Sequence, residues 1–353
     1  MSKRIVVAMS GGVDSSVAAA LLKEQGHEVI GLTMHHWDSN EPGSLHKNSC
    51  SSSAVDQAEK IAEQLGIPFH SVNFTADFRE KVIAPFCHEY FSGRTPNPCV
   101  ICNKKIKFGT LLEKALQLGA DYLATGHYVT LAEENDHTFI RKGSDLKKDQ
   151  SYFLFALSQQ QLSHCIFPLG ELNKQQVRQH AQRFNFQIAE KDESQDICFI
   201  PDGDYGGFLE REQGRGKLSG EIVHLSGKVL GQHRGIYHYT IGQRKGLGIG
   251  WTEPLYVVGI DAVKKRIIVA EKEHLSQTEM VVKQCCWSMS PPTEPFSANC
   301  RIRYRHIEAT ATVEPLSGSD VKVTFVQPQT GITPGQAAVF YREDLVIGGG
   351  WIQ

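Results

Sequence analysis

Two hydrophobic periodicities alternate along the first half of the chain. Short apolar runs of strand length are separated by segments whose apolar residues recur every three or four positions and end at glycine. The predicted strands are 4–9, 27–34, 67–74 and 120–128, and the predicted helices are 15–26, 54–66, 108–119 and 174–185. Strands that alternate with helices imply right-handed βαβ crossovers, and therefore a parallel sheet.

The pattern changes near residue 205, where short apolar runs separated by Gly, Pro, Ser and Asp turns begin and continue to the end of the chain. The sequence therefore predicts an α/β protein in which an all-β half follows the parallel sheet. The predicted domains are a catalytic domain at 1–204, a small central β-rich domain at 205–273 and a C-terminal β-barrel of about six strands at 274–353.

Composition narrows the class of protein. The chain has 353 residues, of which 41% are hydrophobic and 22% are charged, with a formal net charge of −2. No apolar run approaches the ~20 residues that span a bilayer, and the first apolar run is too short for a secretory signal. Nine cysteines, an odd number, favour free thiols in a reducing compartment. We therefore expect a cytoplasmic protein without membrane contact, whose nucleic-acid site, if any, is local.

A glycine-rich segment, "AMSGGVDS" at 8–15, follows the first strand and opens the first helix. Backbone N–H groups and the helix dipole favour an anion there. The segment lacks the G-K-[ST] of a Walker loop and the G-x-G-x-x-G of dinucleotide-binding folds. It resembles the PP-loop of ATP pyrophosphatases, which cleave ATP between the α- and β-phosphates. That resemblance implies an ATP site made by Ala8, Met9, Ser10, Gly11, Gly12, Val13, Asp14 and Ser15.

Within the loop Asp14 has a role of its own, and Met34 and Gly126 extend the predicted ATP site. Asp14 places a carboxylate among the groups that would donate hydrogen bonds to phosphate. This carboxylate would repel phosphate unless a cation lies between them, so we assign Asp14 a catalytic role linked to Mg²⁺. Met34 ends the second strand, where the adenine edge lies in that superfamily. Gly126 follows a later strand at the carboxyl edge of the sheet, where open α/β sheets bind ligands.

Cys99 and Cys102 form a C-x-x-C pair with three possible explanations. A zinc site would need two more ligands, and Cys50 and the Cys87–His88 pair are conceivable donors. An iron–sulfur cluster would need a third cysteine, as in some PP-loop enzymes that thiolate tRNA. Alternatively, the lysines that follow Cys102 lower its thiol pKa and make it a nucleophile.

Nearly the whole chain resembles the tRNA-specific 2-thiouridylases, the MnmA family within the PP-loop superfamily. The shared motifs are "SGGVDSS", "GLTMHHWD", "GRTPNPCVICNKKIKFG", "ATGHY", "KDQSYFL", "FPLGEL", "SQDICFI", "YTIGQRKGLGI" and "RIRYR". The resemblance implies that ATP adenylates O2 of the wobble uridine in tRNA. Cys198 would carry sulfur as a persulfide received from a sulfur-carrier or persulfide-relay protein. Cys102 would be the partner nucleophile, which either frees sulfide or forms a disulfide with Cys198.

The resemblance also implies RNA contacts. Asn97, Pro98 and Cys99 would contact the target base, although well-known members of the family carry Asp where this chain has Cys99. The remaining implied tRNA contacts are His127, Lys148, Asp149, Gln150, Arg303, Tyr304 and Gln336. We expect the polar segment 35–53 to be a mobile loop above the sheet that reorders, together with the Cys198 segment, when tRNA binds.

Three other functions are compatible with parts of this pattern. One is an iron–sulfur-dependent PP-loop thiolase, and another is a PP-loop ligase that acts on a small metabolite and needs neither Cys198 nor RNA. The third is a regulatory tRNA- or nucleotide-binding protein with a vestigial site. The intact glycine loop and the two thiols favour an active enzyme.

Overall fold

The computed structural model describes residues 2–36, 52–187, 197–213 and 219–353. Cys50 and most of the 35–53 loop lie outside the described residues. The chain divides into two compact units. The first comprises Met1–Val82, Cys99–Gly203 and Asp344–Ile347, and the second comprises Ile83–Pro98, Asp204–Glu343 and Gly348–Gln353. Within the described ranges, no helix has both the length and the apolar character to cross a membrane.

A parallel sheet forms the centre of the first unit, as the alternating pattern predicts. Its strands are β1 (Arg4–Ala8), β2 (Glu28–His35), β3 (Phe69–Asn73) and β4 (Tyr122–Ala124), and a short fifth strand, Cys165–Ile166, extends it beyond β4. The strand order is β3-β2-β1-β4 and then the short strand. The chain therefore moves outward from β1 in one direction and then returns to its other side. This reversal creates a switch point between β1 and β4, where sheets of this kind bind ligands.

Helices cover both faces of this sheet, which explains why β1 is a continuous apolar run. In chain order, the α-helices of the described ranges are α1 (Val13–Glu24), α2 (Ser52–Leu65), α3 (Thr75–Phe78), α4 (Ala84–Phe91), α5 (Pro98–Ile101), α6 (Leu112–Gln117), α7 (Gln159–Leu162), α8 (Lys174–Arg183) and α9 (Tyr205–Gln213). The α1 and α8 helices pack together, and Val17, Val177 and Ala181 are fully buried in their shared core.

The helix predicted at 108–119 begins earlier than the sequence suggested. Between α5 and α6 the chain forms a π-helical stretch, Cys102–Leu111, called here the π segment. Such wide turns are rare and often accompany functional sites. The side-chain amide of Gln161 donates to the carbonyls of Lys104 and Phe108. Two carbonyls of the π segment are therefore satisfied from outside the helix.

An antiparallel hairpin, β5 (Val129–Glu134) and β6 (His137–Lys142), follows β4 and was not predicted. Its turn residues Asn135 and Asp136 have φ of 50° and 61°, the left-handed conformation that two-residue hairpin turns require. The strand predicted at 120–128 is correspondingly too long. It ends at Ala124, because the chain leaves the sheet there.

The second unit contains two antiparallel-rich sheets and the helices α4 and α9. With the short fifth strand counted as β7, the smaller sheet has the order β10-β11-β8-β9. Its strands are β8 (Gly220–His224), β9 (Val229–His233), β10 (Tyr256–Asp261) and β11 (Arg266–Ala270). Its core contains Ile222, Val257, Ile267 and Val269, all fully buried.

A barrel of six strands follows, in the order β12-β15-β14-β13-β16-β17, and β12 pairs with β17 to close it. Its strands are β12 (Ser276–Trp287), β13 (Phe296–Arg301), β14 (Ala309–Pro315), β15 (Val321–Thr330), β16 (Ala337–Arg342) and β17 (Leu345–Ile352). The predicted barrel is confirmed, and its strand β13 ends at Arg301. The chain turns after Arg301, where the backbone N–H of His306 donates to the carbonyl of Arg303.

Candidate active site

A cavity of about 220 Å³ lies in the first unit at the carboxyl ends of β1, β2 and β4. Its position is the switch point of the parallel sheet. The lining includes most of the predicted ATP residues, namely Ala8, Met9, Ser10, Asp14, Ser15, Met34 and Gly126. Thr33, His36, Lys107, Thr125 and His127 complete much of the remaining wall.

The glycine loop has the geometry of an anion-binding turn. Gly11 has φ of +70°, and a β-carbon at this position would lie 2.4 Å from the carbonyl oxygen of Ala54. Only glycine therefore fits there. Gly12 caps α1 in an extended conformation and offers no capping side chain. The first-turn N–H groups of α1 are thus oriented for an external acceptor such as phosphate.

Gly126 brings a second strand end against this loop. A β-carbon on Gly126 would lie 2.9 Å from both the carbonyl carbon of Asp14 and the backbone nitrogen of Ser15. Backbone atoms cannot move aside as a flexible side chain does. The close approach of two backbones explains why the site uses glycine at this position.

Asp14 has partners that the sequence did not reveal. Its carboxylate accepts hydrogen bonds from the Lys174 ammonium at 2.8 and 3.0 Å and from the Tyr128 hydroxyl at 2.7 Å. A lysine is therefore the cation beside Asp14. Among the described residues, no cluster of three or more His, Cys, Asp or Glu side chains is arranged to hold a metal ion. Mg²⁺ is usually held by one or two carboxylates together with substrate phosphates, so the Mg²⁺-linked role of Asp14 stays a prediction.

His127 faces the cavity from a largely buried position. It is 8% exposed, its Nδ1 lies 2.7 Å from the hydroxyl of Thr125, and its ring packs near Phe108 and Phe167. Burial, together with the charge of Lys107, holds the pKa of His127 well below its ordinary value. The imidazole is therefore neutral at physiological pH, and its proposed contact with tRNA would be a hydrogen bond without charge.

Cys198 lies next to a histidine of the cavity wall. The Cys198 thiol is exposed, and its Sγ is 3.7 Å from Nε2 of His36. His36 follows β2, and its ring contacts Phe78 of α3 at 4.8 Å between centroids. The neighbouring Phe199 also contacts Phe78, with 5.6 Å between the ring centroids. His36 lies within the quoted motif "GLTMHHWD", but the sequence alone did not single it out.

Cys102 occurs in the same unit as Cys198. It is half-buried at the start of the π segment, against which α3 packs. The π segment, which begins at Cys102, and Phe199, which follows Cys198, therefore both contact α3. Cys99 is an exposed residue. Desolvation of its thiol nevertheless raises the thiol pKa, and the positive charge of Lys107 lowers it by a smaller amount. The eight described cysteines are thiols and form no disulfide.

The segment before Cys99 belongs to the second unit. Asn97 and Pro98 are buried at its end. The side-chain amide of Gln336 donates to the carbonyls of Thr95 and Pro96, at 2.9 and 3.2 Å. Gln336, predicted as a tRNA contact, thus also fixes the backbone that leads to Asn97.

The other predicted RNA contacts fall into two groups. Asp149 is 2% exposed, and its carboxylate accepts hydrogen bonds from Gly143 and Ser151. These hydrogen bonds hold the loop in place from a buried position, and the half-buried Lys148 precedes Asp149 in the same loop. The tRNA contacts predicted for both residues stay predictions. In the second unit, Arg303 is exposed and donates to the carbonyl of Thr330. The adjacent Tyr304 is half-buried.

Comparison with known proteins covers the chain almost completely. The family model for the tRNA methyl transferase HUP domain matches residues 3–202, the tRNA methyl transferase PRC-barrel domain matches 207–271, and the Aminomethyltransferase beta-barrel domain matches 277–352. Among solved structures, a 4-thiouridine synthetase in complex with RNA and ATP has a TM-score of 0.38 and 18% identity, covering 56% of this chain and 45% of that chain.

Curated relatives match from end to end. The tRNA-specific 2-thiouridylase MnmA of Syntrophotalea carbinolica is 55% identical over 99% of both chains. The proteins of the same name from Geobacter metallireducens and Clostridium acetobutylicum are 54% and 47% identical, over 99% and 100% of this chain and 96% and 100% of theirs. The chain therefore belongs to the family of tRNA-specific 2-thiouridylases.

Proposed function

We propose that the protein uses ATP to activate O2 of the wobble uridine in tRNA and then replaces that oxygen by sulfur, giving 2-thiouridine, AMP and pyrophosphate. One observation carries the proposal. His36 both lines the cavity at the glycine loop and contacts the Cys198 thiol. A sulfur nucleophile therefore lies beside the site where the nucleotide would be cleaved.

The first step is activation of the base. Residues 8–15, Met34 and Gly126 hold ATP, with the phosphates at the N-terminus of α1. The uridine O2 attacks the α-phosphate, and pyrophosphate leaves. Adenylation converts a poor leaving oxygen into AMP and makes C2 electrophilic. Lys174 and Tyr128 keep the Asp14 carboxylate fixed beside the loop, and Mg²⁺ would arrive with the phosphates of ATP.

The second step is sulfur transfer. Cys198 carries a persulfide whose terminal sulfur attacks C2, and AMP leaves with the former O2. The Cys102 thiolate then attacks the Cys198 sulfur, which forms a Cys102–Cys198 disulfide and releases the base as the thione. A dithiol reductant must reduce this disulfide before the next turnover. In the alternative route, Cys102 attacks the persulfide first and frees hydrosulfide as the nucleophile.

The proposed partners follow from this chemistry. A sulfur-carrier protein delivers the persulfide, and tRNA is bound through Asn97, Pro98, Cys99, His127, Lys148, Asp149, Gln150, Arg303, Tyr304 and Gln336. The buried Asp149 would act through the backbone of its loop. The cytoplasm is the compartment we propose, because the reaction needs ATP, tRNA and reduced thiols together.

Nucleoside mass spectrometry tests the function. We would express wild type, Cys102→Ser, Cys198→Ser and Cys99→Ser in cells that lack their own 2-thiouridylase. We expect 2-thiouridine with wild type and Cys99→Ser, and none with the other two variants. Retention of 2-thiouridine in Cys198→Ser would refute the sulfur pathway.

A second measurement addresses the rival functions. AMP formation by the purified protein should rise when unmodified tRNA is added. AMP formation that ignores tRNA and responds to a small carbonyl metabolite would favour a PP-loop ligase. A protein that stays active after anaerobic purification without visible absorbance argues against an iron–sulfur cluster.

A further inference from the structure

We propose that His36 is the catalytic base of Cys198, taking the thiol proton when Cys198 accepts sulfur from a protein persulfide. The inference rests on the proposed function, and it adds a residue that the family motifs did not assign. Its foundation is the 3.7 Å separation between Nε2 of His36 and Sγ of Cys198. Sulfur hydrogen bonds are longer than those of oxygen, so this distance suits an S–H donor facing a ring nitrogen.

The Met34 carbonyl selects the tautomer that this role requires. Nδ1 of His36 lies 3.4 Å from that carbonyl oxygen. A carbonyl can only accept, so the favourable tautomer carries its proton on Nδ1. Nε2 is then the unprotonated nitrogen, and its lone pair faces Cys198. The hydrogen bond at one ring nitrogen thus prepares the other to receive a proton.

Packing holds the imidazole in this orientation. His36 is 7% exposed and its ring lies against Phe78, whereas Cys198 is exposed. A carrier protein can therefore reach the sulfur, while the base behind it stays shielded from solvent. Of the groups around His36, Lys107 of the π segment and His35 of β2 oppose its protonation. Asp77 of α3 is already paired with Lys81.

Desolvation keeps His36 neutral until the thiol ionises. Burial lowers its pKa from 6.5 to about 4. Protonating the buried His36 ring on its own is therefore unfavourable. Proton transfer from Cys198, however, creates a Cys198 thiolate beside the imidazolium. The attraction between these two opposite charges offsets the cost of burying the imidazolium. The proton consequently moves only when a thiolate forms.

The loading step balances without an oxidant or reductant. The Cys198 thiolate attacks the terminal sulfur of the carrier persulfide, a new S–S bond forms on Cys198, and the S–S bond of the carrier breaks. The carrier cysteine leaves as a thiolate and receives the proton held on His36. The products are a Cys198 persulfide and a carrier thiol.

The test measures how fast Cys198 is alkylated by iodoacetamide, with peptide mass spectrometry to resolve each cysteine. It requires neither ATP nor tRNA. We expect His36→Gln to slow alkylation of Cys198 about tenfold near neutral pH and to move its pH profile toward that of an ordinary thiol, about 8.5. His70→Gln is the control, because this exposed histidine of β3 should leave the rate unchanged. The alkylation rate of Cys102 provides an internal reference for folding.

Chemical rescue separates a base from a merely structural residue. His36→Ala leaves space for an added imidazole, which should restore the Cys198 alkylation rate. Equal rates and pH profiles in wild type and His36→Gln, or a rate loss shared by Cys102 and not rescued by imidazole, would overturn the inference. The proposed function is judged separately, by whether Cys198→Ser abolishes 2-thiouridine.

Discussion

Asp14 and Lys174 form an ion pair at 2.8 Å between the first turns of α1 and α8. The last turns of the same two helices are joined by a second pair, Glu24 with Arg183, at 2.7 Å. Side-chain exposure distinguishes them: Lys174 and Asp14 are 11% and 29% exposed, whereas Arg183 and Glu24 are 50% and 51% exposed. One helix pair thus carries a shielded ion pair beside the nucleotide cavity and a solvated one at its far end.

The first prediction compares these two ion pairs. Lys174→Met should lower the free energy of unfolding by about 1–3 kcal/mol, because it leaves a shielded carboxylate without its cation. Arg183→Met should cost about 1 kcal/mol or less, since exposed pairs contribute little. Urea unfolding of both variants measures the difference, and calorimetry with ATP should show weaker binding only for Lys174→Met. Similar losses in both variants would contradict a special role for the Asp14 pair.

The second prediction concerns the contact between two backbones at the cavity. Gly126→Ala would place a β-carbon 2.9 Å from backbone atoms of Asp14 and Ser15. The glycine loop must then shift, and we expect ATP affinity to fall at least tenfold while the sheet stays folded. Gly250→Ala is the control, because an added β-carbon there has no atom within 4 Å. Unchanged ATP binding by Gly126→Ala would show that the loop tolerates displacement.

The local hydrophobic pattern predicted the parallel sheet and the barrel because each strand has its own run of apolar residues. It could not predict what depends on residues far apart. The π segment needs Gln161, more than fifty residues away along the chain, to satisfy the Lys104 and Phe108 carbonyls. The β5–β6 hairpin had a local signal in its Asn135–Asp136 turn, which the helix-and-strand alternation obscured.

The residues of the candidate site also divide into those that the local sequence predicted and those that only the fold brings together. The glycine loop was visible because its chemistry lies in consecutive residues. Lys174 was not, because its meeting with Asp14 is created by the packing of α8 on α1. His36 was equally hidden, since a histidine in a motif becomes a partner of Cys198 only when the chain folds.

The third prediction separates positioning from direct RNA contact at Gln336. Its amide donates to two carbonyls of the Thr95–Pro96 segment. Gln336→Ala should therefore cost about 1–2 kcal/mol of stability and should reduce the maximal rate of 2-thiouridine formation more than the affinity for tRNA. Gln327→Ala, at an exposed strand position, should do neither. A loss confined to tRNA affinity would identify Gln336 as an RNA contact alone.

The fourth prediction concerns Arg303, an exposed guanidinium beside the half-buried Tyr304. If Arg303 neutralises a tRNA phosphate, Arg303→Ala should weaken tRNA binding and reduce the slope of log affinity against log salt by about one counterion. Lys322→Ala is the control, because Lys322 is already paired with Glu279. Affinity measured at several salt concentrations decides the matter, and an unchanged slope would remove Arg303 from the interface.

The last prediction follows from the buried His36. Its pKa falls from 6.5 to about 4 on folding, so between these values the unfolded chain binds more protons than the folded one. The stability contributed by the neutral imidazole is therefore complete above pH 6.5 and is lost as the pH falls toward 4, by a total on the order of 3 kcal/mol. His36→Gln should flatten this part of the stability–pH curve, whereas substitution of the exposed His274 by Gln should leave it unchanged. Unfolding free energies of the three proteins measured across this pH range provide the comparison, and parallel curves for wild type and His36→Gln would mean that the imidazole is not held neutral by burial.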